Sequence, residues 1–245
     1  MRIAPLVSSS ASPPEEWRER AASDGYLFLR RWVARDRVRA LRDVALAAAD
    51  ELGWLEPRAP RSAGVSVPGV GLGAYDDPRW FRFLSLVMTD PAFAALQREP
   101  SLISVLETLL AGPVRSAVGD ICRVVSGDDE RHTTVAHQDR AYVKGEGMLW
   151  TVWLPLGDCP QALGPLAVLP GSHLGGLLPH AGDTPWRQGL AVADDALWAA
   201  SDLETGDALF FTGLTVHRAL PHRCGRRLRL SADYRFVAAV EPRLV

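Results

Sequence analysis

The chain has 245 residues, 47% hydrophobic and 23% charged, with a formal net charge of −2 and a pI near 6.3. That length and balance describe one globular domain with room for a large core, and they exclude disordered and fibrous classes. The near-neutral charge supplies no general attraction for nucleic acid or an anionic membrane.

Of the 27 basic residues one, Lys144, is lysine, so an arginine here carries meaning only by its position. Cys122, Cys159 and Cys224 fall in no Cys-x-x-Cys pattern. They argue against a disulfide framework or structural zinc, and for a reducing compartment. The apolar run from Ile3 to Val7 is broken by Pro5 and is too short for a signal core or a membrane span. The expectation is a cytoplasmic protein whose partner is a small molecule, with no nucleic acid and no membrane.

In chain order, Ser12-Pro13-Pro14-Glu15 reads as a capping box opening a short helix that Asp24-Gly25 closes. Tyr26 to Arg30 is a brief strand. From Arg35 to Leu52 the residues Val38, Leu41, Ala45, Leu46 and Ala48 recur at helical spacing, with Gly53 as the stop, and predict a helix lying against the core. Trp54 to Pro78, with Gly69, Gly71 and Gly73, shows no sustained period and reads as a long functional loop with one irregular strand. Helices around Trp80 to Met88, Pro91 to Gln97 and Ser101 to Leu110 end at Gly112-Pro113, making the stretch 12–112 mainly helical.

After Pro113 the runs become β-branched and aromatic: Val114 to Val125, Val135 to Val143, Met148 to Leu156, Leu166 to Leu169, Ala208 to Thr212 and Leu228 to Val237. Many short strands separated by turns predict an all-β core over 113–238, a cupin-like jelly roll with the N-terminal helices packed on one face, the whole chain 1–245 forming one domain. Leu174 to Leu203, with Gly175-Gly176, Pro179, Pro185, Trp186 and Trp198, reads as a second long excursion covering the barrel mouth.

The chemistry gathers at His137-Gln138-Asp139. On a strand, positions i and i+2 share a face, so the imidazole and the carboxylate point together and Gln138 points away. His217, at the end of the apolar run from Ala208, is the best third ligand. His222 sits in the turn-like Pro221-His222-Arg223-Cys224-Gly225 and is expected in solvent; His132 and His173 read as structural. Two His and one Asp on one side of a metal are the facial triad of non-haem Fe(II) oxygenases.

Four ordered motifs then resemble the phytanoyl-CoA dioxygenase family of Fe(II)/2-oxoglutarate oxygenases. They are His137-Gln138-Asp139; Trp153-Leu154-Pro155-Leu156-Gly157-Asp158 with Gly164-Pro165-Leu166-Ala167-Val168-Leu169-Pro170-Gly171-Ser172-His173; Gly206-Asp207-Ala208-Leu209-Phe210-Phe211 with the later His217; and Arg229-Leu230-Ser231-Ala232-Asp233-Tyr234-Arg235. The likeness runs from Gly25-Tyr26 to Val237.

It implies a double-stranded β-helix, Fe(II) held by His137, Asp139 and His217, and 2-oxoglutarate and O2 as cosubstrates. The far carboxylate of the keto acid would be gripped by Arg229 with help from Ser231, and Trp153 would lie near the cosubstrate. The residues agree with this, since Arg229 and Ser231 share a strand face and a guanidinium binds a carboxylate through two parallel hydrogen bonds. Arg227 and Arg235 lie in phase with Arg229, which is preferred for its Arg-x-Ser pattern and its place beyond His217. Gln138, Tyr142 and Arg123 are within reach of the cavity, as substrate contacts or as support for the site, with Gln138 and Tyr142 the expected substrate contacts.

The implied reaction is oxygenation of a C–H bond of a small molecule in specialised metabolism, with hydroxylation first and desaturation, cyclisation or epimerisation as variants. Family halogenases lack the carboxylate ligand, so Asp139 argues against halogenation. The rival readings are a non-catalytic metal- or ligand-binding jelly roll and a zinc hydrolase.

Overall fold

The computed structural model describes residues 1–70, 77–127, 133–182 and 189–239. His132, Gly71, Gly73, Pro185 and Trp186, singled out above, lie outside the described residues. Among the described residues the elements run β1 (Arg2–Ala4), α1 (Pro14–Asp24), β2 (Tyr26–Leu29), α2 (Arg35–Glu51), α3 (Pro78–Met88), α4 (Pro91–Gln97) and α5 (Pro100–Leu110). Then follow β3 (Val114–Ser116), β4 (Ile121–Val125), α6 (Asp139–Tyr142), β5 (Trp150–Pro155), β6 (Leu166–Val168), β7 (Leu197–Ala199), β8 (Ala208–Thr212), β9 (His217–Ala219) and β10 (Arg229–Ala238).

The alternation of β10 organises the architecture. Leu230, Ala232, Tyr234 and Phe236 pack into an apolar core with α2 to α5, so the intervening Arg229, Ser231, Asp233 and Arg235 face the other way, into the barrel. The larger sheet runs β2-β8-β5-β10-β3, with β4 also paired to β10; the smaller runs β1-β7-β6-β9. Phe28, Trp153, Leu209 and Phe211 of the larger sheet meet Leu166, Val168 and Ala199 of the smaller in a second core. Each fully buried Leu or Phe contributes about 1.5–3 kcal/mol, so the two cores fix the spacing of the sheets. This is the jelly roll with helices on one face.

Several local expectations are corrected. The capping box does not form: Pro13 caps α1 without any side-chain hydrogen bond, its fixed φ already presetting the first turn. Val135 to Val143 is not a strand, because His137 makes one isolated antiparallel bridge to His217 and Asp139 already begins the one-turn α6. The run from Val114 splits into β3 and β4 around Gly119, whose φ of +99° turns the chain. The excursion from Leu174 contributes β7 to the smaller sheet, and the N-terminal β1, left outside the likeness, pairs parallel to it through Ile3 and Trp198. His222 is buried rather than solvated, held by Arg227 O at 2.8 Å.

Candidate active site

The two candidate imidazoles leave neighbouring backbone positions. His137 N–H donates to His217 O and His217 N–H to His137 O, both at 2.9 Å, which sets the ring centroids 4.1 Å apart. His137 Nδ1 lies 2.8 Å from Val135 O and His217 Nδ1 3.0 Å from Thr215 O. Only an N–H can face a carbonyl oxygen at that distance, so Nδ1 carries the proton in each ring and Nε2 is left as a lone-pair donor. Phe211 backs the His217 ring at 4.5 Å.

Asp139 joins them by a short path. Gln138 is extended, with φ −117° and ψ 130°, so the argument from strand faces holds over this one step. The turn into α6 then brings Asp139 Oδ1 to 3.6 Å from His137 Nε2 and 3.7 Å from His217 Nε2. One ligand atom from each residue lies within 4.8 Å of the others, and all three side chains are buried.

Burial alone would raise the Asp139 carboxyl, but the Arg235 guanidinium and then the two imidazoles hold it well below the usual carboxylate range. Burial, followed by the neighbouring His137, lowers His217 to about 3. The cluster therefore presents two imidazole Nε2 atoms and one anionic oxygen converging on a buried centre, with the Nδ1 atoms turned to backbone carbonyls. That donor set suits a divalent transition metal, and its two-His, one-carboxylate composition suits Fe(II).

Arg229 is buried, donates from Nη1 to Ser231 Oγ at 3.0 Å, and among the described residues has no partner for Nε; Asp233, the carboxylate that acts on it, is ion-paired with Arg123. Arg227 is exposed. Arg235, the other arginine in phase, is committed to Asp139 through Nε at 3.1 Å and Nη2 at 3.0 Å. Of the three, Arg229 is the buried cation left without its anion. Trp153, opposite Asp233 in the ladder and buried between the sheets, has an indole N–H without a partner among the described residues.

Two substrate expectations fare differently. Tyr142 is half-buried, with its ring 5.5 Å from His137 and 6.2 Å from His180. Gln138 is turned to backbone: its Nε2 donates to Gly176 O at 2.8 Å and Leu214 O at 2.6 Å, and its Oε1 accepts from Leu178 N at 2.8 Å. Those bonds commit both amide hydrogens and one acceptor direction of the side chain to backbone. Arg123 donates from Nε to Asp233 Oδ2 at 2.7 Å, a structural ion pair on the inner face.

The sequence reading missed Thr151, His180 and the real partner of Arg235. Thr151 Oγ1 donates to Asp139 Oδ2 at 2.6 Å; His180 Nε2 accepts the Gln138 N–H at 2.9 Å. Strand parity could have put Thr151 on the same face as Trp153, but not against Asp139, which arrives from a different segment.

Against known proteins, the family described as phytanoyl-CoA dioxygenase (PhyH) matches residues 21–229. The chain is 26% identical over 230 residues to 1-deoxypentalenic acid 11-beta-hydroxylase of Streptomyces exfoliatus, covering 88% of this chain and 78% of that protein. Among solved structures it resembles the epimerase SnoN in complex with Fe3+, alpha ketoglutarate and nogalamycin RO, with TM-score 0.64 and 21% identity over 92% of this chain and 84% of that one. It also resembles the carbocyclase SnoK from nogalamycin biosynthesis, with TM-score 0.62 and 18% identity over 96% of this chain and 87% of that one. The structural likenesses bear on the fold alone.

Proposed function

The chain belongs to the phytanoyl-CoA dioxygenase family of Fe(II)/2-oxoglutarate-dependent oxygenases, and on that premise we propose that His137, Asp139 and His217 hold the iron and Arg229 and Ser231 hold the keto acid. The observation that carries the proposal is the pairing of a buried His-Asp-His cluster with a buried arginine that has no carboxylate of its own. Bound together, iron, 2-oxoglutarate and O2 supply an oxidant able to take hydrogen from a C–H bond.

This chain's residues do the placing. Val135 O and Thr215 O orient the two imidazoles. Arg229 and Ser231 receive the far carboxylate, and Trp153 and Phe211 keep that end of the barrel dry. Tyr142, at the edge of the cluster, is a substrate contact.

The substrate is a small molecule of specialised metabolism, and hydroxylation is the favoured outcome because the similar curated protein is a hydroxylase. Epimerisation and carbocyclisation occur on the same fold and are told apart by product mass: hydroxylation adds one oxygen, cyclisation removes two hydrogens, and epimerisation changes neither. The place of action is the cytoplasm, a reading supported by three free cysteines. No described helix is long and apolar enough to cross a membrane.

The test is an anaerobic titration of the Fe(II)-loaded protein with 2-oxoglutarate. A weak visible charge-transfer band is expected, followed by slow succinate release when O2 and ascorbate are added. Folded, metal-loaded protein with neither response would be a binding module and not an oxygenase.

A further inference from the structure

Asp139 is held at more points than neutralising its charge requires. A carboxylate offers about four lone-pair directions. Thr151 Oγ1 at 2.6 Å and Arg235 Nε at 3.1 Å occupy Oδ2, and Arg235 Nη2 at 3.0 Å occupies one direction on Oδ1. What remains is one lone pair, on the oxygen that stands 3.6 Å and 3.7 Å from the two imidazole Nε2 atoms.

Arg235 is itself immobilised. Its backbone N–H donates to Asp120 Oδ1 at 2.7 Å, Nη1 donates to Gly119 O, and Nη2 is 3.9 Å from Asp233 Oδ2. The turn over it needs glycine: at Gly119, where φ is +99°, a Cβ would lie 3.2 Å from Val143 Cγ2 and 3.5 Å from Arg235 Cδ.

We propose that Arg235, with Thr151, is a positioning residue that confines Asp139 to a single metal bond through Oδ1. The proposal rests on the assignment of the iron to His137, Asp139 and His217. If Asp139 gave one oxygen, a six-coordinate iron would keep three positions for the keto acid and O2; a second Asp139 oxygen would take one of them. Arg235 and Thr151 prevent that by keeping Oδ2 occupied. The fork of the guanidinium is essential because it holds both oxygens at fixed spacing, which a lysine ammonium, a single point charge, cannot do.

The experiment compares the wild-type protein with Arg235→Lys, Arg235→Gln and Thr151→Val. Arg235→Lys and Thr151→Val, which keep the positive charge beside Asp139, are expected to bind one equivalent of Fe(II) and to form the 2-oxoglutarate charge-transfer band with little change in affinity, whereas Arg235→Gln removes the charge that holds Asp139 ionised and is compared at saturating Fe(II). On mixing with O2, the band is expected to decay about tenfold more slowly, or slower still, in both Arg235 variants, and to a smaller degree in Thr151→Val. The near-infrared ligand-field spectrum of the anaerobic complex, which reports the donor set around the iron, should change in the same order.

Wild-type spectrum and decay rate in Arg235→Lys would show that charge alone suffices and overturn the proposal. If the Arg235 variants do not fold, Thr151→Val decides: an unchanged spectrum and rate there overturns it equally. A wild-type protein that forms no band would instead overturn the iron assignment, so the two failures are distinguishable.

Discussion

Arg229 and Arg235 stand on the same face of β10 with the same side chain and opposite circumstances. Arg235 enters a bidentate pair with Asp139, whereas Arg229 is buried and, among the described residues, is bonded to the Ser231 hydroxyl without an ion pair. Burial lowers the Arg229 guanidinium from its ordinary value, yet an arginine stays charged, and a buried charge is costly until an anion joins it. Arg229→Ala is therefore expected to cost about 3–5 kcal/mol of 2-oxoglutarate binding, a loss of more than about a hundredfold in affinity measured by titration of the charge-transfer band. Arg227→Ala, at an exposed position, should leave the affinity unchanged. Parity in the sequence placed these arginines on one face, and the Arg-x-Ser pattern chose among them. It could not reveal that Arg235 was already taken, because Asp139 lies in a segment distant along the chain.

A second residue-scale prediction concerns Asp120, whose carboxyl is pushed up to about 6, chiefly by burial. The folded state then keeps a proton that the unfolded chain releases. Its contribution is most favourable below about pH 4 and is lost as pH rises through about 6. Asp120→Asn cannot ionise. Urea unfolding of both proteins across that range should show the variant gaining stability relative to the wild type as pH rises.

At the scale of elements, the sequence was most readable where one period persists. α2 has Val38, Leu41, Ala45 and Leu46 on its buried face, and β5, β8 and β10 fall where β-branched and aromatic runs predict them. The readable signal ends where a segment has no partner of its own kind. His137 forms a bridge and not a strand, and β1 exists only because β7 offers an edge to it. Neither pairing is local, so neither leaves a periodic trace.

Gln138 is the joint between such segments, tying Gly176 and Leu178 to Leu214 beneath the His-Asp-His cluster. Gln138→Leu preserves volume but strands two carbonyls and one N–H, each part-buried. It should lower stability by about 2–4 kcal/mol. Amide exchange at Leu178 should accelerate well beyond that of β5, and no change at Leu178 would mean the joint is redundant.

Across the whole molecule, the larger sheet is a partition between two cores, its strands β2, β5 and β8 sending alternate residues to the helices and to the barrel interior. Ligands that bind only the folded protein stabilise it by a term set by their own affinity, about 2.7 kcal/mol at a hundredfold excess over Kd. For a chain of this length that corresponds to a rise of about 5–10 °C in Tm. Leu41 is 0% exposed on the helix side of the partition, and Leu41→Ala should lower stability by about 2–5 kcal/mol through the cavity it leaves.

Because the partition separates that cavity from the site, the rise in Tm on adding Mn(II) and 2-oxoglutarate should be the same in Leu41→Ala as in the wild type, although both start from different temperatures. His217→Ala should lose the metal-dependent rise, and Arg229→Ala should keep it while losing the further increment from the keto acid. Thermal scans of the four proteins with no ligand, with metal, and with metal plus keto acid separate these outcomes. A keto-acid increment abolished by Leu41→Ala would mean that the helix layer shapes the site directly and that the sheet does not insulate it.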